Sequence, residues 1–454
     1  MIILEAKMSK KKSITLLTIV SIIMAFILVM TFIRFPMGVK EYQSALGAIE
    51  LDYDLEGGVA YTMTLASDNE EEVKDPDEVI RILKGRVEAL GYSVYSIKAV
   101  KSTDEAVLDQ DIRLELKKTE TVDEDVKVIA AHGEVEFFGG SESNPSTQIL
   151  EDLDVVADSQ YLGLYEEGNY AISIVFNTEA KDALVKAIEE NESGSYYLKI
   201  TCGADDHGNE NVLFNATITA DAFQGNMLGI TGIGSEEMAK RLALQMRSGG
   251  LAYKYDLSDG EVIDSPYGTN VALKCAVSIM TLILVLMIVY IVFYRGLGVI
   301  TSLATLLFIL FETWLMIGVP GIIVSMGGIF GIICATIACA VGMVMLAQTV
   351  KDEYANSEKT VKAAVAKGFK VSLVPTIMYH VIAGAVALLL LAFTSGTLKC
   401  FAITFGIGIA VSLISTLVFT RMFTSLILPI VKNKEKFLRF KRAEKTDVEI
   451  NAEV

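Results

Sequence analysis

The chain has 454 residues, of which 52% are hydrophobic, and its formal net charge at pH 7 is −17. This acidic balance argues against nucleic acid as a partner, because phosphates need basic surfaces. The sequence has no paired cysteine spacing for zinc, no phosphate-binding glycine-rich loop and no His-Glu-x-x-His motif, so we expect no metal site, no cofactor and no enzymatic catalysis.

An uncharged apolar run from Ile14 to Phe32 is the first element of the chain. About 20 helical residues cross the hydrocarbon core of a bilayer, so this run predicts a transmembrane helix over residues 14–33. The run is longer than the apolar core of a signal peptide, and no A-x-A-like cleavage site follows it. We therefore expect a retained anchor in preference to a cleaved signal peptide.

Residues 34–141 are predicted to form the first of two α+β units outside the membrane. An apolar side chain at every second position from Val59 to Leu65 has the period of a half-buried strand. Pro76 and the acidic residues after it begin an amphipathic helix that ends at Gly91. Further strand patterns lie at about 92–101, 112–117 and 134–138, around a weaker helix pattern near 122–131.

Residues 142–169 are rich in Ser, Asn, Pro and Asp, which predicts a boundary or head-like insertion before the second unit, residues 170–270. That unit has strand patterns at 170–176, 196–202 and 212–219, and helix patterns at 178–190 and after Ser235. The order of elements predicts two ferredoxin-like units in tandem. Acidic side chains outnumber basic ones by more than two to one in 34–270, which indicates a solvated surface in preference to a site for basic ligands.

Five further apolar runs make residues 271–430 a five-helix membrane segment, so that six transmembrane helices are predicted in all. The runs lie at about Cys275 to Tyr294, Gly298 to Ile317, Met326 to Val350, Val371 to Phe393 and Phe401 to Leu428. The predicted fold class is thus a membrane protein with six transmembrane α-helices and an external α+β domain.

Lysine and arginine in the short connecting segments indicate the orientation of these helices. Whether the chain starts at Met1 or Met8, basic residues lie in its first segment, 1–13. Further basic residues lie at Arg295, in the loop 351–370 and in the tail 431–454. In a six-helix topology all four segments fall on one side of the membrane. We therefore expect a multi-pass protein of the cell membrane with both termini in the cytoplasm and 34–270 outside.

Several short motifs lie in order along the chain, from about Asp54 to Phe423. The motifs are Asp54-Leu55-Glu56-Gly57-Gly58, Gly85-Arg86-Val87-Glu88-Ala89-Leu90-Gly91, Arg247-Ser248-Gly249-Gly250-Leu251, Ala363-Ala364 with Gly368-Phe369-Lys370, Phe401 to Ile409 including Gly406 and Gly408, and Thr420-Arg421. Any one of them is weak evidence, because paired glycines usually mark a turn. Together, and in this order, they resemble the motifs of the SecD family, whose members assist bacterial protein export.

The resemblance implies a six-helix bundle of the resistance-nodulation-division superfamily and an external domain that contacts unfolded secretory polypeptide. It also implies a SecF-like six-helix subunit as partner, because such bundles work in twelve-helix pairs, and a SecYEG-type channel in the surrounding membrane lipid. In this family the fourth and fifth helices carry acidic residues that resemble a proton-relay site and use the proton-motive force.

The chain departs from the family at both of these acidic sites. The Asp-Ala-Asn of the fourth helix aligns on Val341-Gly342-Met343, and that of the fifth helix aligns on Met378-Tyr379-His380. The family's proton-site positions Val341, Met343 and Met378 therefore lack acids. Coupling to the proton-motive force is left in doubt: it has moved to other residues, lies in the partner, or is lost.

Glu312 and His380 are the ionisable residues that could replace the missing acids. A carboxylate inside a membrane helix costs on the order of 3 kcal/mol to insert and commonly serves ion movement. A histidine near the midplane could shuttle protons. The alternatives are a paired or interfacial acid for Glu312 and a hydrogen-bonded structural histidine for His380, while Arg421 is expected to anchor the last helix at the interface.

Three functions remain open on the sequence alone. The chain is an accessory subunit of the protein-export channel, an exporter of a small molecule or lipid from the same superfamily, or a scaffold that is not energised.

Overall fold

The computed structural model describes residues 9–442 except 38–39, 43, 67–75, 101–110, 131–134, 151–155, 167, 192–195, 205–209, 249–250, 252–254, 358–359 and 441. The described residues therefore leave out Met1, Met8 and Gly249. In the tail 431–454 they leave out residue 441 and everything after Arg442. The chain divides into two compact units: a helical unit of residues 1–56 and 264–454, and an α+β unit of residues 57–263.

The helices, in chain order, are α1 (Lys10–Phe32), α2 (Tyr53–Glu56), α3 (Pro76–Ala89), α4 (Val122–Ile129), α5 (Thr178–Glu189), α6 (Glu236–Ser248), α7 (Val271–Tyr294), α8 (Gly296–Gly318), α9 (Met326–Ala355), α10 (Val361–Phe393), α11 (Gly396–Ile414), α12 (Thr420–Ile427) and α13 (Lys434–Leu438). A π-helical turn, Ser415–Phe419, joins α11 to α12 without a break.

The strands, in chain order, are β1 (Phe35–Met37), β2 (Lys40–Tyr42), β3 (Gly58–Leu65), β4 (Ser96–Val100), β5 (Asp111–Lys117), β6 (Val135–Gly140), β7 (Gln148–Leu150), β8 (Val156–Glu166), β9 (Asn169–Phe176), β10 (Tyr196–Ala204), β11 (Glu210–Ile218), β12 (Phe223–Gln224), β13 (Met227–Ile233), β14 (Tyr255–Leu257) and β15 (Glu261–Ile263).

Within the described residues, six helices of the helical unit are long and apolar enough to cross a membrane, which agrees with the predicted number: α1, α7, α8, α9, α10 and the continuous α11–α12. Their ends follow local chemistry, since Ser325 caps α9 by accepting from the Gly328 N–H and Thr360 caps α10 by accepting from the Ala363 N–H. Small residues let α9 and α11 approach closely, as where Gly331 lies against Thr404.

In the α+β unit, β3 is the centre of an antiparallel sheet with the order β14-β3-β5-β4. The odd-numbered apolar residues of β3 and the stripes of α3 and α4 share one core, which includes Tyr61, Met63, Leu83, Leu114 and Val126. This part has the element order β3-α3-β4-β5-α4 and receives its last strand, β14, from much later in the chain.

The remaining strands of the α+β unit form two four-stranded sheets, with the orders β11-β10-β6-β7 and β12-β13-β9-β8. Residues of both sheets pack into one core with α5 and α6, for example Phe137, Ile174, Leu184, Leu198 and Leu242. The α+β class of this region is therefore confirmed, but two tandem ferredoxin-like units are not, because β9 and β10 lie in different sheets.

The strand pairing also divides the α+β region differently from the predicted segments 34–141, 142–169 and 170–270. β6 pairs with β10, whereas β14 and β15 return to β3. Strand patterns identify a strand but carry little information about its partner, because that partner is chosen by packing between residues far apart in sequence.

Candidate functional site

Glu312 lies on α8 in the interior of the helical unit, where only 1% of the residue is exposed. Neither of its carboxyl oxygens has a hydrogen-bond partner among the described residues. An acid in such surroundings is costly to keep, since burial of an unpaired charge or polar group opposes folding.

Gly408 on α11 provides the space for this carboxyl group. A Cβ atom added at Gly408 would collide with the Glu312 Oε1 and with the Cβ of Ala335 on α9. The absence of a side chain at Gly408 thus allows α8, α9 and α11 to meet around the acid. Gly408, which belongs to the motif from Phe401 to Ile409, and the predicted site residue Glu312 are therefore direct neighbours.

His380 lies on α10 and is also buried, with 2% of the residue exposed. Its Nδ1 is 2.8 Å from the Thr376 carbonyl oxygen, and its Nε2 is 2.8 Å from the Ser412 Oγ. A carbonyl can only accept, so Nδ1 carries the proton and, in the neutral ring, Nε2 accepts from the Ser412 hydroxyl. The edge-to-face ring of Tyr379 lies beside it, 5.1 Å away between ring centroids.

Two residues connect the surroundings of Glu312 to those of His380. Ser412 is one helical turn beyond Gly408 on α11, and Cys339 is one turn beyond Ala335 on α9. Cys339 is fully buried, and Ser412 is the hydrogen-bond partner of the His380 Nε2.

Cys339 and Ser412 were not predicted as site residues. Their i,i+4 spacing from small residues that face Glu312 is the signal in the sequence, but it becomes informative only when the three helices are known to be neighbours. The turn after Ser412 is π-helical, and such turns are frequent at functional sites. Within it, the Ser415 hydroxyl donates to the Ala304 carbonyl of α8.

The three positions predicted to lack the family's acids, Val341, Met343 and Met378, have different surroundings. Val341 on α9 is 47% exposed and Met378 on α10 is 59% exposed, so both lie on the outer surface of the helical unit. Val341 lines an apolar groove of about 600 Å³ between α7 and α9, together with Leu286 and Val289. Met343 is buried, and its sulfur accepts from the Thr420 hydroxyl at 3.2 Å.

Asp54, the first residue of the Asp54 to Gly58 motif, caps a membrane helix. Its Oδ2 accepts from the Met326 N–H at the start of α9, at 2.8 Å, and its carbonyl accepts from the Ser265 hydroxyl. Burial raises the pKa of the Asp54 carboxyl, against the opposing effect of the Met326 hydrogen bond. In the same motif Gly57 has a φ of 97°, which favours glycine, before Gly58 begins β3.

The remaining motif residues have structural contacts. Arg247 approaches Asp158 at 3.9 Å on the surface, a geometry that contributes little to stability. Arg421 donates to the Phe369 carbonyl of α10 at 3.3 Å and lies over the Phe369 ring. Gly406 is in ordinary contact with Ala387. Among the described residues, no group of three His, Cys, Asp or Glu side chains is arranged to hold a metal ion.

No family model matches the chain, but comparison with known proteins finds SecD proteins among its relatives. It is 24% identical over 402 residues to the protein translocase subunit SecD of Dictyoglomus turgidum, covering 85% of this chain and 92% of that protein. It is 28% identical over 203 residues to the protein translocase subunit SecD of Escherichia coli strain K12, which covers 45% of this chain and only 33% of that protein.

Among solved structures, a crystal structure of SecDF in a super-membrane-facing form matches with a TM-score of 0.72. The match covers 91% of this chain and 57% of that one, at 20% sequence identity. At this identity the likeness establishes the fold. The chain spans about a third of the Escherichia coli relative and somewhat more than half of the crystallised SecDF chain.

Proposed function

We propose that this chain, a SecD-like protein translocase subunit, is an accessory subunit of the Sec protein-export machinery. The observation that carries the proposal is the SecDF-like fold over 91% of the chain, in which the six membrane helices and the α+β region occur together. In this proposal its role in export is mechanical and not enzymatic.

In this proposal the chain is a multi-pass protein of the cell membrane, with both termini in the cytoplasm and the α+β unit on the outer side. The support comes from basic residues, since Lys351, Lys362 and Lys367 lie around the connection between α9 and α10 and four lysines precede the first span. Cysteine accessibility on intact cells tests the orientation: Lys84→Cys in α3 is expected to react from outside, and Lys362→Cys only after the membrane is opened.

The proposed partners are a SecF-like six-helix subunit, a SecYEG-type channel and the unfolded secretory polypeptide. Support for polypeptide binding comes from β8, the edge strand of its sheet, where Leu162 and Leu164 are 60% and 63% exposed. An exposed strand edge can pair with an extended chain, and apolar side chains on it can contact hydrophobic segments.

Photo-crosslinking of a stalled secretory substrate in cells that express the full chain tests this function. A crosslinker at Leu162 or Leu164 is expected to capture the substrate, and one at Lys84, on the exposed side of α3, serves as the matched control. Equal labelling at all three positions, or none at Leu162 and Leu164, would contradict polypeptide binding at β8.

The apolar groove lined by Val341 favours a second candidate function, the export of a small molecule or lipid. A deletion strain that accumulates a lipid or drug while secretion stays normal would support it. A deletion strain that shows neither defect, but has lower levels of the SecF-like partner or the channel, would support a scaffold that is not energised.

We further propose that at least one of Glu312 and His380 supports energy-dependent function, because the family's acidic positions are Val341, Met343 and Met378 here. Glu312→Gln and His380→Ala are each made in the full chain, and secretion is measured with and without a proton gradient. Loss of gradient-dependent secretion in either variant is the expected result. Normal secretion in both would refute this coupling proposal and leave the accessory role intact.

A further inference from the structure

The segment that follows the last membrane helix, residues 431–442, is held against the ends of α8 and α9. Phe437 of α13 lies on Gly296, the first residue of α8, where an added Cβ atom would collide with the Phe437 ring. The Phe440 ring stacks on Tyr354 of α9, with 4.7 Å between the ring centroids. Two aromatic side chains therefore fix the position of this segment, which we call the basic segment.

The charged side chains of the basic segment are separated by sign. Its described part has one acid, Glu435, whose Oε1 accepts from the Tyr354 hydroxyl of α9 at 2.8 Å. The exposed cations are Lys432, Lys436, Arg439 and Arg442. The whole chain carries a net charge of −17, so this surface has the opposite sign from the molecule as a whole.

The acids at the end of α9, next to this segment, have partners of their own. Asp352 accepts from the Gln348 amide at 2.8 Å, and Glu353 is paired with Lys367 at 3.2 Å. These carboxylates are therefore engaged on α9 and α10, and the exposed cations of the basic segment are left for an anion outside the chain.

The basic segment lies at the level of the lipid headgroups. α8 has 23 residues, which gives a length of roughly 34 Å and matches the roughly 30 Å hydrocarbon core of a bilayer. Gly296, its first residue, is thus at the edge of the hydrocarbon. Because Phe437 lies directly on Gly296, the cations on either side of Phe437 are within reach of phosphates in that leaflet.

Arg439 has a backbone conformation that is unusual for an arginine. Its φ is 56°, in the left-handed region that favours glycine. Its N–H ends α13 by donating to the carbonyls of Glu435 and Lys436, and the turn brings Phe440 back to Tyr354. A glycine would make the same turn without strain, so the arginine indicates that its side chain is used.

We infer that the basic segment binds the headgroups of anionic phospholipids, with Arg439 as its central cation. A phosphodiester accepts hydrogen bonds from arginine and lysine, and a cluster of about four to eight cations directly after a membrane helix is typical of anionic lipid binding. The inference rests on the proposed orientation, which places the segment at the cytoplasmic leaflet, where anionic lipids make the membrane surface negative.

The test uses the full chain in nanodiscs of phosphatidylcholine alone, and in nanodiscs where phosphatidylglycerol replaces part of it. Backbone hydrogen exchange of the basic segment is measured in both by mass spectrometry. Exchange is expected to be about fivefold or more slower with phosphatidylglycerol, because even one cation near an anionic surface contributes a factor of about five. The slowing should disappear at about 1 M salt, where the Debye length is only about 3 Å.

Inorganic phosphate added to the phosphatidylcholine nanodiscs separates a lipid headgroup from a free anion. It is expected to leave the exchange unchanged, because it lacks the high local concentration of headgroups at a membrane surface. Equal protection by phosphate would overturn the lipid assignment. Equal exchange in the two kinds of nanodisc would overturn the inference altogether.

Arg439→Gly separates the side chain from the fold, because glycine suits the left-handed turn. This variant is expected to exchange no faster than the unmodified chain in phosphatidylcholine, but to lose about fivefold of the slowing by phosphatidylglycerol. Arg439→Lys keeps the charge and should keep the slowing within about twofold. Lys84→Gln, at an exposed lysine of α3, is the control for loss of one cation and should leave the slowing unchanged. Full slowing in Arg439→Gly would refute the role of Arg439.

The lipid inference and the export role can fail separately. If phosphatidylglycerol has no effect on the basic segment while the chain supports secretion in cells, the inference fails and the accessory role stands. If phosphatidylglycerol protects the segment but a deletion strain secretes normally, the accessory role fails and lipid binding stands.

Discussion

Asp54 is expected to fix the start of α9, and a pair of substitutions separates its hydrogen bond from its charge. Asp54→Asn keeps an oxygen that can accept from the Met326 N–H, whereas Asp54→Ala removes the acceptor and leaves that N–H without its partner. Glu56→Gln, at the exposed end of the same short helix, is the control for loss of one negative charge.

The structure sets the expected magnitudes. Loss of a helix-capping acceptor costs about 1 kcal/mol, and leaving a buried N–H unpaired costs about 1–3 kcal/mol, so Asp54→Ala should lower the free energy of unfolding by about 1–3 kcal/mol. Asp54→Asn also loses an attraction between the carboxylate and the helix N-terminus of roughly 0.3–1 kcal/mol. Because burial opposes the charged form of Asp54, this loss is offset and the Asn variant should remain close to the unmodified chain.

The pH dependence has a definite sign. The pKa of Asp54 is raised above 3.8 by burial, so the folded chain holds this proton more tightly than the unfolded chain does. The contribution of Asp54 to stability is therefore largest below pH 3.8 and falls as pH rises through the folded pKa. The stability of Asp54→Asn relative to the unmodified chain should rise over the same window and then become constant.

Unfolding of the full chain in mixed micelles, followed by fluorescence of its single tryptophan, Trp314, measures these differences. Trp314 is a suitable reporter because its Nε1 donates to the Thr31 hydroxyl of α1, at 3.1 Å, and thus senses the packing of α8 on α1. Equal stability of Asp54→Ala and Asp54→Asn at neutral pH would refute the capping argument. If the difference in stability between Asp54→Asn and the unmodified chain does not change with pH, the argument that burial raises the pKa of Asp54 is refuted.

Three further predictions concern packing and burial. Gly408→Ala should destabilise the helical unit by about 1–3 kcal/mol through overpacking, whereas Gly406→Ala, whose added Cβ would meet its nearest neighbour at 3.5 Å, should be tolerated in the same unfolding assay. Arg86→Met should speed hydrogen exchange at the end of α4 by about fivefold or more, since the buried Arg86 donates to the Ile129 carbonyl and a lost hydrogen bond costs about 1 kcal/mol. Val341→Asp should reduce accumulation of the chain in cells without the SecF-like partner and be tolerated with it, because an uncovered acid on the lipid side costs about 3 kcal/mol; equal levels in both strains would contradict this.

The membrane helices could be predicted from sequence because the bilayer imposes one length and one composition on every span. The predicted first span, Ile14–Phe32, lies within α1, and the predicted fourth span, Met326–Val350, begins at the first residue of α9. The helices extend beyond the apolar runs into polar sequence, as α9 does to Ala355, because a helix does not have to end where the hydrocarbon ends.

Pairing in the α+β unit could not be predicted in the same way. β3 and β9 were correctly identified as strands from their alternating residues, but the pattern does not state that β3 pairs with β14, about 190 residues later, or that β9 pairs with β13. Register and partner follow from packing of both faces, which is a property of the assembled core. The same limit applies to β6, whose residues were predicted with the first unit and which pairs with β10.

For the candidate site, sequence reasoning identified two ionisable residues that are buried among the membrane helices, Glu312 and His380, but not the residues that they contact. Glu312 and His380 are noticeable because ionisable groups are rare in membrane helices. Ser412 does not stand out among the small residues of its helix, and only the packing of α10 against α11 shows that it binds His380. The sequence indicates which residues are costly to bury, but it does not indicate which helices are neighbours.

The two positions of α9 that are predicted to align with the family's acids, Val341 and Met343, lie on opposite faces of the helix. Cys339 and Met343 are one turn apart and buried, and Val341 between them is exposed on the opposite side. An acid at Val341 would depend on another subunit to cover it, whereas Glu312 is already enclosed by Gly408 and Ala335 of its own chain. Burial of Glu312 therefore depends only on contacts within this chain, whereas an acid at Val341 that nothing covered would cost about 3 kcal/mol in the hydrocarbon.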